Sequence, residues 1–158
     1  MKSRIKLKEA IIEKQFNGDV QITAIAGELR QVFSNLLSNS LDAMDERGTI
    51  KLRVSASRHR VRVMVADNGK GVPRSLRRRI FEPFFSTKGT VGTGLGLWVS
   101  QQIIEKHGGT IRVRSSSDGS QRGTTFSVLL PLEPTASEGQ LAVTLPDVSG
   151  RTTGELKT

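Results

Sequence analysis

From Glu28 onward, Leu29, Val32, Phe33, Leu36, Leu37, Ser40 and Met44 recur at the three- and four-residue spacings of one helix face. That periodicity predicts an amphipathic helix packed on a core. Gln31, Asn35, Asn39 and Asp42 run along another side of the same helix as a polar stripe. Gly48 is the expected stop, a glycine just past the last turn. Two alternating segments follow, Ile50-Leu52-Val54 and Val61-Val63-Val65, joined by Ser57-Arg58-His59-Arg60, and they read as a β-hairpin. Two more strands are predicted at Ile111-Val113 and Phe126-Val128-Leu130, split by the turn-rich SSSDGSQRG. Between the two strand pairs lies an irregular stretch, Asp67 to Thr93, and then a helix from about Leu95 to His107 with Leu97, Val99, Ile103 and Ile104 facing inward.

These elements predict an α+β fold: a two-layer α/β sandwich in which a mixed, mostly antiparallel sheet carries its helices on one face and leaves the other wet. Lys2–Thr23, with weaker patterning, is expected to add an edge strand or two. The segment 133–158 is rich in Gly, Pro, Ser and Thr and is expected to be a flexible tail; Leu141-Val143-Leu145 is its only strand-like piece. Residues 1–132 form the expected domain.

Composition narrows the function classes. A chain of 158 residues, 35% hydrophobic and 25% charged, suits one domain with a modest core. The absence of cysteine excludes disulfides, thiolate metal sites and cysteine nucleophiles, and points to the cytoplasm. No apolar run approaches the length of a membrane span, and the basic start MKSRIKLK leads into no signal segment, so neither secretion nor membrane integration is expected. The net charge of +9 becomes +11 over residues 1–132, with dense spots at Met1–Lys14 and Arg74–Arg79. Neither spot is interleaved with aromatics, so solvated basic faces around an anionic small-molecule site are favoured over a nucleic-acid surface.

The candidate chemistry lies in DNGKGVP (Asp67–Pro73), FEPFFSTK (Phe81–Lys88) and GTVGTGLGLWVS (Gly89–Ser100). Gly92, Gly94 and Gly96 immediately precede an apolar helix, where unobstructed backbone N–H groups and the helix dipole together make a phosphate cradle. It is not the common phosphate loop, since no GxxxxGK[ST] occurs, and its glycine spacing is not that of a dinucleotide fingerprint. The HRD and DFG signatures of eukaryotic-type kinases are also missing.

The order NLLSN, DNGKGV, FEPFF, GTGLGL, closed by GTTFSVLLP, resembles the ATP-binding catalytic domain of bacterial sensor histidine kinases over about Glu28 to Leu132. The NSLDAM and FEPFFSTK wording is similar to the nitrogen- and oxygen-regulatory sensor subtype. The wider superfamily, with gyrase, MutL-type and heat-shock chaperone ATPases, shares the Bergerat ATP-binding fold. The resemblance implies ATP and Mg²⁺ as cofactors. It implies Asn39 as the magnesium ligand, with Asn35 one turn earlier contacting the phosphates or the metal through water. Asp67 would accept a hydrogen bond from the adenine 6-amino group, Gly69 and Gly71 would let the base lie against the backbone, and Thr124 would help bind the purine. Gly92, Thr93, Gly94, Leu95, Gly96 and Leu97 would supply the lid end and helix start, while Val72 and Phe85 would complete the nucleotide contacts. Phe81, Phe84 and Phe85 resemble the aromatic box beside the lid, with core packing as the plain alternative. Lys88, at the lid base, is the candidate for neutralising the terminal phosphates, since Asp42 stands where many members have lysine.

One position bears on reaction type. The water-activating branches carry a glutamate four residues before the magnesium asparagine, where this chain has Asn35, and an amide cannot take a proton from water. The implied reaction is therefore transfer of the γ-phosphoryl group to a histidine on a separate helical dimerisation domain, absent from this chain, with a response regulator downstream. Asn35, Asn39 and Lys88 would be the catalytic set. His59 and His107 do not resemble phosphoacceptors. A fragment of this kind is expected to be monomeric and its parent dimeric. The alternatives are a nucleotide-gated module of the same superfamily, such as an anti-sigma-type serine kinase or a DNA-associated ATPase, and a nonbinding scaffold.

Overall fold

The computed structural model describes residues 9–16, 20–87, 92–118, 122–132 and 141–144. The element order is β1 (Ile11–Phe16), β2 (Gln21–Ala24), α1 (Ala26–Ala43), β3 (Thr49–Ala56), β4 (Arg60–Asp67), α2 (Gly96–Lys106), β5 (Thr110–Ser116), β6 (Gly123–Pro131) and β7 (Leu141–Thr144). Two single-turn 3₁₀ segments, Arg74–Leu76 and Arg79–Phe81, interrupt the irregular stretch between β4 and α2.

Five strands form one mixed sheet in the order β1-β3-β4-β6-β5. All neighbours are antiparallel except β1, which runs parallel to β3. The period-two pattern sets the register. Val54 stands opposite Val63, Val65 opposite Phe126 and Ile111 opposite Val128, so β3, β4, β5 and β6 turn these apolar residues to the same side, while Ile11 and Leu129 fall on the outer one. Both helices cover that side. Leu29, Val32, Leu36 and Leu41 of α1 and Ile103 and Ile104 of α2 join Ile50, Val61, Val65, Phe126 and Val128 in one buried cluster. The α+β sandwich with helices on one face is thus present.

The end of α1 and the pairing of β2 differ from the sequence reading. Helix α1 stops at Ala43, and Met44 is already extended (φ −94°, ψ 147°), with its side chain buried in the core. Gly48 is therefore not the helix cap; Arg47 adopts the left-handed turn at φ 59°. Helix α2 spans Gly96–Lys106 with Leu95 and His107 as its caps, as expected. Its end is a glycine motif: Gly108 has φ 68°, its N–H donates to the Glu105 carbonyl, and the Gly109 N–H donates to the Ile104 carbonyl. Of the N-terminal strands, β1 is the expected sheet edge, whereas β2 leaves the main sheet and pairs antiparallel with β7.

His107 ties the two helices together. It is buried; its Nδ1 lies 2.8 Å from the Ile103 carbonyl and its Nε2 accepts the Ile25 N–H at 3.1 Å, just ahead of α1. Accepting at Nε2 while donating from Nδ1 describes a neutral imidazole with both nitrogens used, a structural role that agrees with the sequence reading. His59 is exposed in the β3–β4 link.

Leu36 is fully enclosed between the helix layer and the sheet. Leu36→Ala is expected to cost about 2–5 kcal/mol of stability, measured by denaturant unfolding. A loss of only a few tenths would mean that the helix layer packs elsewhere.

Candidate functional site

A cleft of about 650 Å³ opens between α1, the loop after β4, the 3₁₀ segments, the N-terminus of α2 and the ends of β4 and β6. Asp67 lies at its inner end. As the last residue of β4 it stands opposite Thr124 of β6. Its Oδ1 accepts two backbone N–H groups, from Gly69 at 3.0 Å and from Thr124 at 3.2 Å. Oδ2 is buried and makes no hydrogen bond of standard geometry, and the same holds for the Ser40 hydroxyl, although that hydroxyl lies near enough to the carboxyl to favour its charged form. Burial pushes the Asp67 carboxyl above its ordinary pKa of 3.8, against the opposing pull of the Gly69 amide, the Ser40 hydroxyl and the Thr124 amide.

The loop that follows is clamped from both layers. The Lys70 N–H donates to the Ala43 carbonyl at 2.9 Å, at the end of α1. The Val72 N–H donates to Ser115 Oγ at 2.7 Å, on β5. Ser115 Oγ in turn donates to the Gly123 carbonyl at 2.7 Å and lies 3.0 Å from Thr124 Oγ1. With the Ser115 hydrogen committed to Gly123, Thr124 must be the donor in that last pair. Gly71 has φ 73°, and a Cβ there would fall 1.9 Å from the Ser116 carbonyl oxygen. Only glycine fits that position, because of the neighbouring strand.

On the opposite wall, α2 starts without a side-chain cap and without an acidic residue in its first turn. Its leading N–H groups are thus left to an anion in the cleft. Asn35 secures this end from α1, donating from Nδ2 to the Gly96 carbonyl at 3.1 Å and to Ser100 Oγ at 3.3 Å. Gly94 (φ 68°) lies so close to the chain at Phe84 that a Cβ would be 2.4 Å from the Phe84 carbonyl carbon. Phe84 itself holds φ 64°, a strained conformation for a bulky residue, with its ring 77% exposed. The segment between Phe85 and Gly94 is therefore pinched at its base.

The sequence candidates sort clearly. Asn39, Asp67, Gly71, Val72 and Phe85 line the cleft, as do Gly92, Thr93, Gly94, Gly96, Leu97 and Thr124. Asn35, Gly69 and Leu95 do not: Asn35 braces the helices, Gly69 packs on the Ala43 backbone, and the Leu95 N–H points to Thr93 Oγ1 at 3.5 Å. Lys88 lies outside the described residues. The aromatic box divides, with Phe85 in the cleft, Phe81 against the core and Phe84 in solvent. Phe85 is held by Arg79, whose guanidinium sits 4.4 Å from the ring centroid and pairs with Glu82 at 3.3 Å.

Sequence reading passed over Lys70, which is the one cation lining the cleft among the described residues. Its signal was its place between the two glycines of DNGKG. Ser38, Ile80 and Phe126 also line the cleft; their patterning marked them only as helix, loop and core.

Because its pKa is raised in the fold, Asp67 holds its proton more tightly in the folded than in the unfolded chain. Its contribution is then fully present below pH 3.8 and is lost as pH rises through the folded value. Asp67→Asn is accordingly expected to melt above the wild type at pH 7, with the difference closing as pH falls towards 3.8. A variant that melts lower at pH 7 would show that the amide bonds outweigh the burial.

Residues 24–134 match the family described as histidine kinase-, DNA gyrase B- and HSP90-like ATPase. The chain is 36% identical over 132 residues to Sporulation kinase A of Bacillus subtilis, covering 83% of this chain and 21% of that protein. It is 41% identical over 111 residues to the signal transduction histidine-protein kinase AtoS of Escherichia coli, covering 70% and 18%. It therefore spans about a fifth of the length of these relatives. Among solved structures, the catalytic domain of histidine kinase ThkA superposes with a TM-score of 0.75 at 32% identity, covering 84% of this chain and 87% of that one. ShkA in complex with AMPPNP gives 0.72 at 32%, covering 85% and 28%, and ThkA with response regulator TrrA gives 0.69 at 30%, covering 83% and 36%. With the sheet, cleft and Asp67 loop in place, the chain belongs to the histidine kinase-, DNA gyrase B- and HSP90-like ATPase family, and its relatives within it are sensor histidine kinases.

Proposed function

We propose that the cleft binds Mg·ATP and that the chain, as the catalytic domain of a two-component sensor kinase, donates the γ-phosphoryl group to a histidine on a separate helical domain. The unpaired Oδ2 of Asp67 carries this reading. A buried carboxylate oxygen facing a cleft requires a donor, and the adenine 6-amino group is one. The guanine 6-oxo group would set acceptor against acceptor. The Thr124 hydroxyl group and the Gly71–Val72 backbone border the same end of the cleft, where the purine would lie.

The phosphates would then extend towards α2, to the uncapped N–H groups that begin at Gly96. Asn39, half-buried on α1 and lining the cleft beside Asp42, offers an amide oxygen suited to Mg²⁺, which takes few protein ligands and fills the rest with water and phosphate oxygens. When bound, the ion would offset phosphate charge and orient the γ-phosphoryl group. Lys70 adds positive charge on the described side of the cleft, and Lys88 remains a second candidate from the lid. Gly94 and Phe84 pack against each other at the edge of the cleft, beside Ser86, Thr87, Gly92 and Thr93 of its lining. In the reaction the bond from γ-phosphorus to the β,γ-bridging oxygen breaks, a bond to an imidazole nitrogen forms, and ADP leaves.

Transfer rather than hydrolysis is supported by Asn35. Its amide nitrogen is engaged by Gly96 and Ser100, and the residue does not line the cleft, so no general base stands there. Need for a partner histidine agrees with the buried, hydrogen-bonded state of His107 and the distant place of His59. The response regulator bound by ThkA supports an equivalent acceptor downstream of this chain's parent. Among the described residues no helix is long and apolar enough to cross a membrane. A substrate of ATP supports a cytoplasmic site of action.

Calorimetric titration with ADP and AMPPNP in Mg²⁺, beside GDP, tests the proposal. Adenine nucleotides are expected to bind and GDP not. Asp67→Asn turns an NH₂ towards the adenine amino group, because the Gly69 and Thr124 amides keep the oxygen inward. Affinity is expected to fall about 10–100-fold, the worth of about 1.5–3 kcal/mol for a bond to a charged group. Lys70→Ala is expected to weaken AMPPNP more than adenosine. Equal binding of ADP and GDP, or unchanged affinity in Asp67→Asn, would sink this reading.

A further inference from the structure

The sheet face turned away from the helices carries a charge pattern that the nucleotide site does not use. By register, Lys51 and Arg53 of β3, Arg60 and Arg62 of β4, and Arg112 and Arg114 of β5 all project from it, and all six are exposed. Glu13 is the acidic residue on the described part of this face; it pairs with Lys51 at 3.2 Å. Arg60, Arg62, Arg112 and Arg114 make no ion pair among the described residues. The face thus carries a net charge of +5, against +9 for the whole chain. In the two rows that join Lys51 to Arg114 and Arg53 to Arg112, the outward residues between β3 and β5 are Ala66 and Met64 on β4 and Thr125 and Ser127 on β6; in the next row Arg62 and Leu129 close the floor.

This is a trough with cationic rails. Arg53 and Arg112 lie in one cross-strand row, through Met64 and Ser127, and Lys51 and Arg114 lie in the next, through Ala66 and Thr125. Three interstrand steps of about 4.8 Å set the rails ~14 Å apart. An α-helix is about 10–12 Å across with its side chains. Along each rail the charges repeat every two residues, about 6.7 Å. Carboxylates four residues apart on a helix repeat every ~6 Å. Over these two rows width, floor and axial repeat match an α-helix, and Arg62 at the end of the floor offers it a further cation.

We propose that this outer sheet face docks an acidic helix of a partner protein, lying along the strands with carboxylates on both flanks paired to the two rails. Arginine suits this task, since its planar fork binds carboxylate through two parallel hydrogen bonds. Nucleic acid is disfavoured because the face has no aromatic side chain to stack on a base and no helix or ribbon standing out to enter a groove. A membrane surface is disfavoured because the trough offers no aromatic side chain for the interface and its larger apolar side chains, Met64 and Leu129, are half-buried. The nucleotide cleft lies in the helix layer on the other side, so both ligands can be held at once.

The test uses the full chain and a fluorescein-labelled helical peptide with alanine along one face and glutamate on both flanks of that face. Anisotropy titrations at physiological salt are run beside the glutamine version of the peptide, a short DNA duplex and phosphatidylserine vesicles. Arg53→Glu with Arg112→Glu reverses one charge on each rail, and Arg74→Glu with Arg78→Glu makes the same charge change elsewhere. The acidic peptide is expected to bind saturably and the glutamine peptide not. The rail variant is expected to weaken binding about tenfold or more, and the Arg74/Arg78 variant less than about twofold. ADP affinity and melting temperature in the rail variant establish that it is folded; if it is not, Arg53→Ala with Arg112→Ala replaces it and is read in the same way. Equal losses in the two reversal variants, absent peptide binding, or tighter binding of duplex or vesicles through the same arginines would each overturn the proposal.

Discussion

The Asp67 carboxylate ties the end of β4 to the loop that follows it and to β6, in the wall of the cleft. Its Oδ1 accepts N–H groups from the loop after β4 and from β6, so one oxygen holds a strand end, a turn and a neighbouring strand together. The same two bonds prevent the other oxygen from turning inward. Oδ2 makes no hydrogen bond of standard geometry in its buried setting, an arrangement that costs free energy unless a donor is close. Strand pairing between Asp67 and Thr124 and the clamping of Lys70 and Val72 keep this geometry from relaxing.

Local strain and unused backbone groups are kept on the same side of the molecule. Helix α2 begins with neither a capping side chain nor an acidic residue, Phe84 sits at a positive φ, and Gly94 packs against the Phe84 backbone. Each is unfavourable in isolation, and Gly94 and the start of α2 line the cleft with Phe84 packed behind Gly94. The compensating order comes from behind: Asn35 and Ser100 lock the first turn of α2, and His107 fastens the far end of that helix to the start of α1. A rigid rear and a costly front describe a site organised for an anionic ligand. The six cations of the outer sheet face stand apart from this arrangement, which is why they call for a separate explanation.

Much of this was legible along the chain. Alternation of Ile50, Leu52 and Val54 with Lys51 and Arg53 marked both the strand and its two faces, because a strand's side-chain period is two whatever it pairs with. Periodicity marked α1 and α2 for the same kind of local reason, and glycines, amides and Asp67 in four ordered boxes marked the cleft. What misled were positions whose reason is tertiary. Gly48 follows the helix in sequence, but burial of Met44 in the core draws the chain into extended form several residues earlier. Asn35 sits in the polar stripe with Asn39, yet α2 packs beside it and takes up its amide, while Asn39 one turn on meets the cleft.

Sequence by itself determined the period of each element, the side each residue takes within it, the family and the kinds of group the cleft contains, since these depend on spacing and residue type. Tertiary structure decided which candidates face the ligand, how β2 and β7 find each other outside the main sheet, and why Gly71 and Gly94 must be glycine. The space those two would need for a Cβ is taken by backbone at Ser116 and Phe84. Those neighbours are distant in the chain or across a turn, and only packing brings them close enough for steric exclusion to act.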